Sequence, residues 1–152
     1  MKVLCDHMLG TLATWLRILG VDTAYPTSTT SDEEILKQAT AEDRVLLTRD
    51  KTLLARAKKA GVHTLHVPAT DLESQLRQII TALSLDATLA LTRCTLCNTP
   101  LVPVAAQDAR EHVPPQVFER QKLFWYCPSC RKYYWMGTHY EDMEKRLKSL
   151  GK

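Results

Sequence analysis

Apolar and polar positions along the first ninety residues change period again and again. Residues 2–5, KVLC, are a short apolar run that predicts a strand. In HMLGTLATWLRILG, Leu9, Leu12, Leu16 and Leu19 share one helical face, and Gly20 stands where such a helix stops. VDTAY predicts a second strand. Ser31, with Glu34 three residues on, forms a capping box that opens a helix over DEEILKQAT. VLLTR predicts a third strand and DKTLLARAKKA a helix ending before Gly61. VHTLHV predicts a fourth strand, and a capping box of Thr70 and Glu73 opens the helix DLESQLRQIITALSL.

The resulting order, βαβαβαβα, predicts an α/β fold. Strands separated by helices pair in parallel, because parallel strands need long crossovers. A four-stranded parallel sheet with helices on both faces is expected; its strand order is not encoded in the pattern. Near residue 86 the pattern breaks. Proline becomes frequent (Pro100, Pro103, Pro114, Pro115), and a last amphipathic helix, YEDMEKRLKSLG, follows a capping box of Thr138 and Glu141, with Met143, Leu147 and Leu150 on its inner face. Two parts are expected, residues 1–88 and 89–152.

Of the 152 residues, 45% are apolar, enough for a packed core, and no apolar run approaches the roughly 20 residues that span a bilayer. The N-terminus places Lys2 and Asp6 where a secretory signal needs an apolar stretch, so a cytoplasmic protein with reduced thiols is expected. Net charge is +3. Residues 1–90 carry ten Lys and Arg against eleven Asp and Glu, and residues 91–152 carry ten against six. The basic excess thus lies in the C-terminal part, where it favours a polyanion.

Four of the five cysteines form two CxxC pairs, Cys94–Cys97 and Cys127–Cys130. Each pair can turn both sulfurs to one point, and two pairs complete the tetrahedral shell of Zn²⁺. A reducing compartment weighs against the disulfide alternative. Four thiolates leave no open coordination position, so the zinc is structural. The long gap between the pairs is expected to be loop inserted into a ribbon, and Cys5 a small core residue.

Parallel sheets gather their working residues at the carboxyl ends of the strands. Asp6 follows the first strand and Asp50 the third. Asp32 and Glu33 open the helix after the second, and Asp71 follows the fourth. Acids sharing one edge repel each other unless a cation fills the site, and an all-oxygen site suits Mg²⁺ or Mn²⁺. On that reading, replacing one acid by Asn leaves the metal-free fold intact or firmer. Asp at a helix start is also a common cap. Asp71 reads as a cap; for Asp50, cap and ligand fit equally; Asp6 is harder to explain as a cap alone. The five histidines lack ligand spacing.

Taken in order, Asp6, LATWLRILG, VDTAY, SDEEIL, LTRD, RCTLCN and CPSCRKYYWMGTH resemble the PIN-like ribonucleases with a C-terminal zinc ribbon, the Mut-seven C-terminal RNase domain, over nearly the whole chain. The resemblance implies a PIN fold whose acids bind divalent metal and cleave RNA. By position, Asp6 and Asp50 match the first and third acids of the family. Asp32 matches the middle one, with Glu33 adjacent, while Asp71 matches a further acid only approximately. A metal-dependent ribonuclease follows, with Thr48 or Arg49 near the phosphate. Arg93, Arg131, Lys132, Trp125, Tyr133, Tyr134 and Trp135 would extend the surface for single-stranded RNA, although packing of a small ribbon accounts for most of those aromatics. The alternative is a non-catalytic RNA-binding or assembly module on the same fold, and the same chemistry would serve a DNA nuclease.

Overall fold

The computed structural model describes residues 1–150. By their contacts they divide into two compact units, one of residues 1–16 and 21–85, the other of residues 17–20 and from 86 onward.

The first unit is built on four parallel strands: β1 (Lys2–Cys5), β2 (Asp22–Ala24), β3 (Val45–Thr48) and β4 (Thr64–His66). Their order is β2-β1-β3-β4. β1 and β3 are therefore central, and their sequences show it: Val3, Leu4, Cys5, Leu46 and Leu47 have no exposed surface. A strand covered on both faces reads as a continuous apolar run rather than an alternation. The edge strands are three residues each and carry polar Asp22, Thr23, Thr64 and His66.

Helices α1 (Gly10–Ile18), α2 (Asp32–Ala41), α3 (Lys51–Lys59) and α4 (Leu72–Ala82) flank the sheet. One core cluster joins Leu4 and Leu46 of the sheet to Ile35 and Ala39 of α2 and to Leu53, Ala57 and Val62 on and after α3. Each fully buried leucine there stabilises the fold by about 1.5–3 kcal/mol. Gly20, φ +85°, adopts the left-handed conformation that ends α1.

Capping follows the sequence at Ser31, whose hydroxyl accepts from Glu34 N–H. It departs at α4. The cap there is Asp71, whose carboxylate accepts from Ser74 N–H, one residue beyond Thr70. Asp and Thr are both good caps, so the capping-box motif alone does not fix the frame. The last helix, α7 (Thr138–Leu150), likewise includes Thr138 as its first residue, and Glu141 N–H reaches Gly137 O.

Arg44 ties the amino-terminal edge of the sheet together. Its guanidinium donates to Val3 O, Asp22 O and Asp22 Oδ1 and to Glu42 Oε1, at 2.5–3.1 Å.

The second unit centres on an antiparallel sheet of β5 (Val102–Val104), β6 (Phe124–Cys127) and β7 (Lys132–Tyr134), in that order. Its two faces carry separate cores. Trp125, Cys127 and Tyr134 point into a cluster with Leu91, Cys94 and Leu101. Phe124 and Tyr133 join the other, with Ala109, Val113, Val117 and Phe118. The last four belong to the segment between β5 and β6, which folds into α5 (Ala106–Ala109), a 3-10 turn and α6 (Pro115–Arg120). Pro114 and Pro115 mark a helix start: Pro115 is the first residue of α6, where its missing N–H costs nothing. The insert is a helical cover for one sheet face, where loop was expected. Residues 17–20 join this unit through Ile18 O, which accepts from Ala90 N–H, and Arg17, which donates to Thr95 O at 3.0 Å.

Candidate functional site

The four paired cysteines converge. Their sulfurs all lie within 4.8 Å of one another, with Cys94–Cys130 at 3.8 Å and Cys97–Cys127 at 3.5 Å. A tetrahedron with Zn–S bonds of about 2.3 Å has S···S edges of roughly 3.8 Å. A disulfide requires about 2.05 Å, so the quartet has the dimensions of a tetrathiolate metal site.

The two knuckles repeat one geometry. Asn98 N–H donates to Cys94 O at 2.9 Å, and Arg131 N–H to Cys127 O at 2.8 Å. Asn98 and Arg131, each directly after the second cysteine of its pair, have φ of 71° and 56°. The left-handed residue closes each turn so that both thiols face inward. For Arg131 this conformation carries a steric cost that the knuckle imposes.

Polar groups surround the sulfurs. The Tyr134 hydroxyl lies 3.0 Å from Cys94 Sγ, the Cys97 thiol donates to Thr99 Oγ1 at 3.1 Å, and Cys130 N–H donates to Cys127 Sγ at 3.3 Å. Burial resists ionisation of Cys97, but the hydroxyl and backbone of Thr99 outweigh it and bring the thiol to about 6. Cys130 is pushed the other way, up to about 12, first by its hydrogen bond with Cys97 and then by burial. Four crowded thiols cannot all ionise alone, and a dication resolves the conflict.

The acids are held differently. Asp6, 3% exposed, follows β1. One oxygen accepts from Met8 N–H at 3.0 Å; the other accepts from Thr48 O–H and from Arg49 N–H at 3.0 Å. Thr48, fully buried at the end of β3, also accepts from Asp50 N–H at 2.9 Å. One hydroxyl therefore links the acids beyond the two central strands. The crossover leaving β1 runs to β2 on one side and the crossover leaving β3 runs to β4 on the other, so these residues lie at the switch point where ligands bind in open α/β sheets. Asp50 caps α3: Oδ1 accepts from Thr52 N–H at 2.8 Å and Leu53 N–H at 3.4 Å, leaving Oδ2 for another partner. Asp32, the first residue of α2, faces Arg56 of α3 at 3.7 Å, both about half exposed.

Sequence thus brings Asp6 and Asp50 together through Thr48, and puts Asp32 within reach of α3. Among the described residues, the cysteines form the one group of three or more potential ligands within 4.8 Å; the three acids do not. Thr48 is buried beneath the acids, where it positions them and cannot face a phosphate. The Nε of Arg49, beside Asp6, is buried with no hydrogen-bond partner. The ribbon aromatics pack: Tyr134 is 3% exposed, and Trp125 and Trp135 lie against the two cores. Lys132 sits over the Tyr134 ring at 5.2 Å, and Arg93 donates to Asn98 O at 2.9 Å. Sequence reasoning missed Tyr134 as a thiolate partner; nothing in its spacing to Cys94 reveals their meeting.

A four-stranded parallel sheet with Asp6 and Asp50 beyond its central strands, followed by a four-cysteine cluster on a small antiparallel sheet, defines an α/β protein with a ribbon-like second unit. The family model described as "Mut7-C RNAse domain" matches residues 1–147, and the chain belongs to that family. No curated protein and no solved structure matches it. Among the described residues, no helix is long and apolar enough to cross a membrane.

Proposed function

We propose that this protein is a metal-dependent ribonuclease that hydrolyses phosphodiester bonds of single-stranded RNA at the carboxyl edge of β1 and β3. What carries the reading is the pairing of Asp6 and Asp50 across the switch point in a chain of an RNase family. Asp6, Asp50 and Asp32 would hold Mg²⁺ or Mn²⁺, and the donor set, all carboxylate oxygen, suits those ions. Bound there, the cation supplies charge stabilisation at the phosphate and lowers the pKa of water. Asp6 is oriented by three hydrogen-bond donors and keeps a fixed rotamer. Asp50 keeps Oδ2 free of the capping bonds. Asp32 would exchange its ion pair with Arg56 for the metal, freeing the guanidinium for substrate. Cys94, Cys97, Cys127 and Cys130 would hold a structural Zn²⁺. A cytoplasmic setting fits five cysteines that form no disulfide.

One observation favours a second reading, a non-catalytic RNA-binding module. Each acid already has a structural partner, and the three do not gather as a ligand group. The deciding experiment incubates the purified chain with single-stranded RNA and DNA under Mg²⁺, Mn²⁺ or EDTA. Cleavage of RNA that needs the divalent ion and fails in EDTA supports the ribonuclease. RNA binding without cleavage under any ion sinks it and selects the second reading; cleavage of DNA alone replaces the substrate.

A further inference from the structure

Apart from half-buried Leu54, α3 exposes only basic and small side chains. At about 100° per residue, Lys58, Lys51, Lys59 and Arg56 fall within an arc of roughly 160°. Leu53 and Ala57, both buried, occupy the opposite side. The helix carries no acid of its own. A shallow groove of about 460 Å³ runs along this arc, lined by Lys51, Thr52, Ala55, Arg56 and Lys59. One cation, Arg56, is engaged with Asp32 at 3.7 Å.

From this arrangement we infer that the exposed face of α3 is a phosphate track that leads a single RNA strand to the acids. The inference rests on the ribonuclease reading above, because its starting point is Asp50, the residue immediately before Lys51. Lys51 to Lys59 spans on the order of 12 Å of helix, room for more than one phosphate. Lysine ammonium groups on flexible stems neutralise a moving backbone without reading bases. The groove offers no aromatic or large apolar anchor of the kind that protein partners bury, which favours a polyanion over a protein.

The test measures binding of a fluorescein-labelled single-stranded RNA to the full chain in EDTA, by anisotropy, across a salt series. The variant is Lys51→Gln/Lys59→Gln, both exposed positions. The control, Lys2→Gln/Lys148→Gln, removes equal charge from the amino-terminal end of β1 and from α7. Each single-strand phosphate contact contributes about 0.7 to the slope of log affinity against log salt. Loss of two contacts should flatten the slope by about 1.4 and weaken binding on the order of ten-fold near 0.1 M salt. The control should keep the parent slope. If the α3 variant keeps the parent slope, or if variant and control fall alike, the track is wrong while the ribonuclease reading stands. A parent that binds but never cleaves, with a flattened variant, retains the track and removes the nuclease. A parent that binds no RNA at low salt overturns both.

Discussion

The Tyr134 hydroxyl meets Cys94 Sγ at 3.0 Å, and both residues are buried. Burial, and then the sulfur itself, push the phenol well above its ordinary range. Tyr134 therefore stays protonated at physiological pH, with a proton to offer a thiolate at Cys94. Four thiolates around a dication would carry a formal charge of −2, and a thiolate there would gain from such a proton.

Tyr134→Phe should preserve the ribbon's packing while removing that bond. Partners one step beyond the ligands typically govern about 10–100-fold of metal affinity. We expect zinc loss to a competing chelator at least several-fold faster in the variant. Identical release curves would show that the hydroxyl does not support the site.

Elemental analysis of protein purified without chelator should find one zinc per chain. Removing it should melt the second unit, whose small cores flank the cysteines, and Cys127→Ser should do the same. Hydrogen exchange reads this by region: protection should fall from residue 86 onward. Unchanged protection there, after verified metal removal, contradicts a structural zinc.

Asp6→Asn and Asp50→Asn separate the roles of the two acids. From the sequence, either change was expected to leave the metal-free fold intact or firmer. The geometry reverses this for Asp6. An amide offers one acceptor oxygen where three donors converge, so Asp6→Asn should cost about 1–3 kcal/mol. Asn caps nearly as well as Asp, so Asp50→Asn should cost a few tenths. Both should cut RNA cleavage with Mn²⁺ by orders of magnitude if both hold the cation. Thermal melting and a cleavage assay on each variant give the comparison; full cleavage by either removes that residue from the site.

Glu42 gives the fold an acid-sensitive contact. The Arg44 hydrogen bond, opposed by burial, holds its carboxyl below the ordinary range. A folded-state value lowered in this way stabilises above the unfolded value near 4.5 and is lost as pH falls through the folded value. Glu42→Gln should therefore melt lower than the parent at pH 7, and the gap should close below about pH 4. The contribution is small because the side chain is 41% exposed. A gap that widens in acid would have the wrong sign.

Much of this architecture can be read from residue order. The apolar runs KVLC and VLLT mark the central strands because burial on both faces excludes polar positions. The CxxC pairs carry their own geometry in four-residue segments, each closed by the residue that follows. What local pattern omits are relationships across long separations. The order β2-β1-β3-β4 depends on crossovers, and the reach of Thr48 to Asp6 spans 42 residues. The helical cover over β6 was hidden because α5 and α6 have four and six residues, too few turns for a periodic signal.

The second unit is discontinuous in sequence, since it draws Arg17–Gly20 from the end of α1. A ribbon with its own four-cysteine cluster looks like a module that can be cut out at one point in the sequence. This one is not portable when cut at residue 86 or 88, because the excised piece leaves behind the acceptor for Ala90 N–H and the donor to Thr95 O. A boundary that keeps this unit whole has to include Arg17–Gly20, so a fragment that starts at residue 86 is an incomplete body.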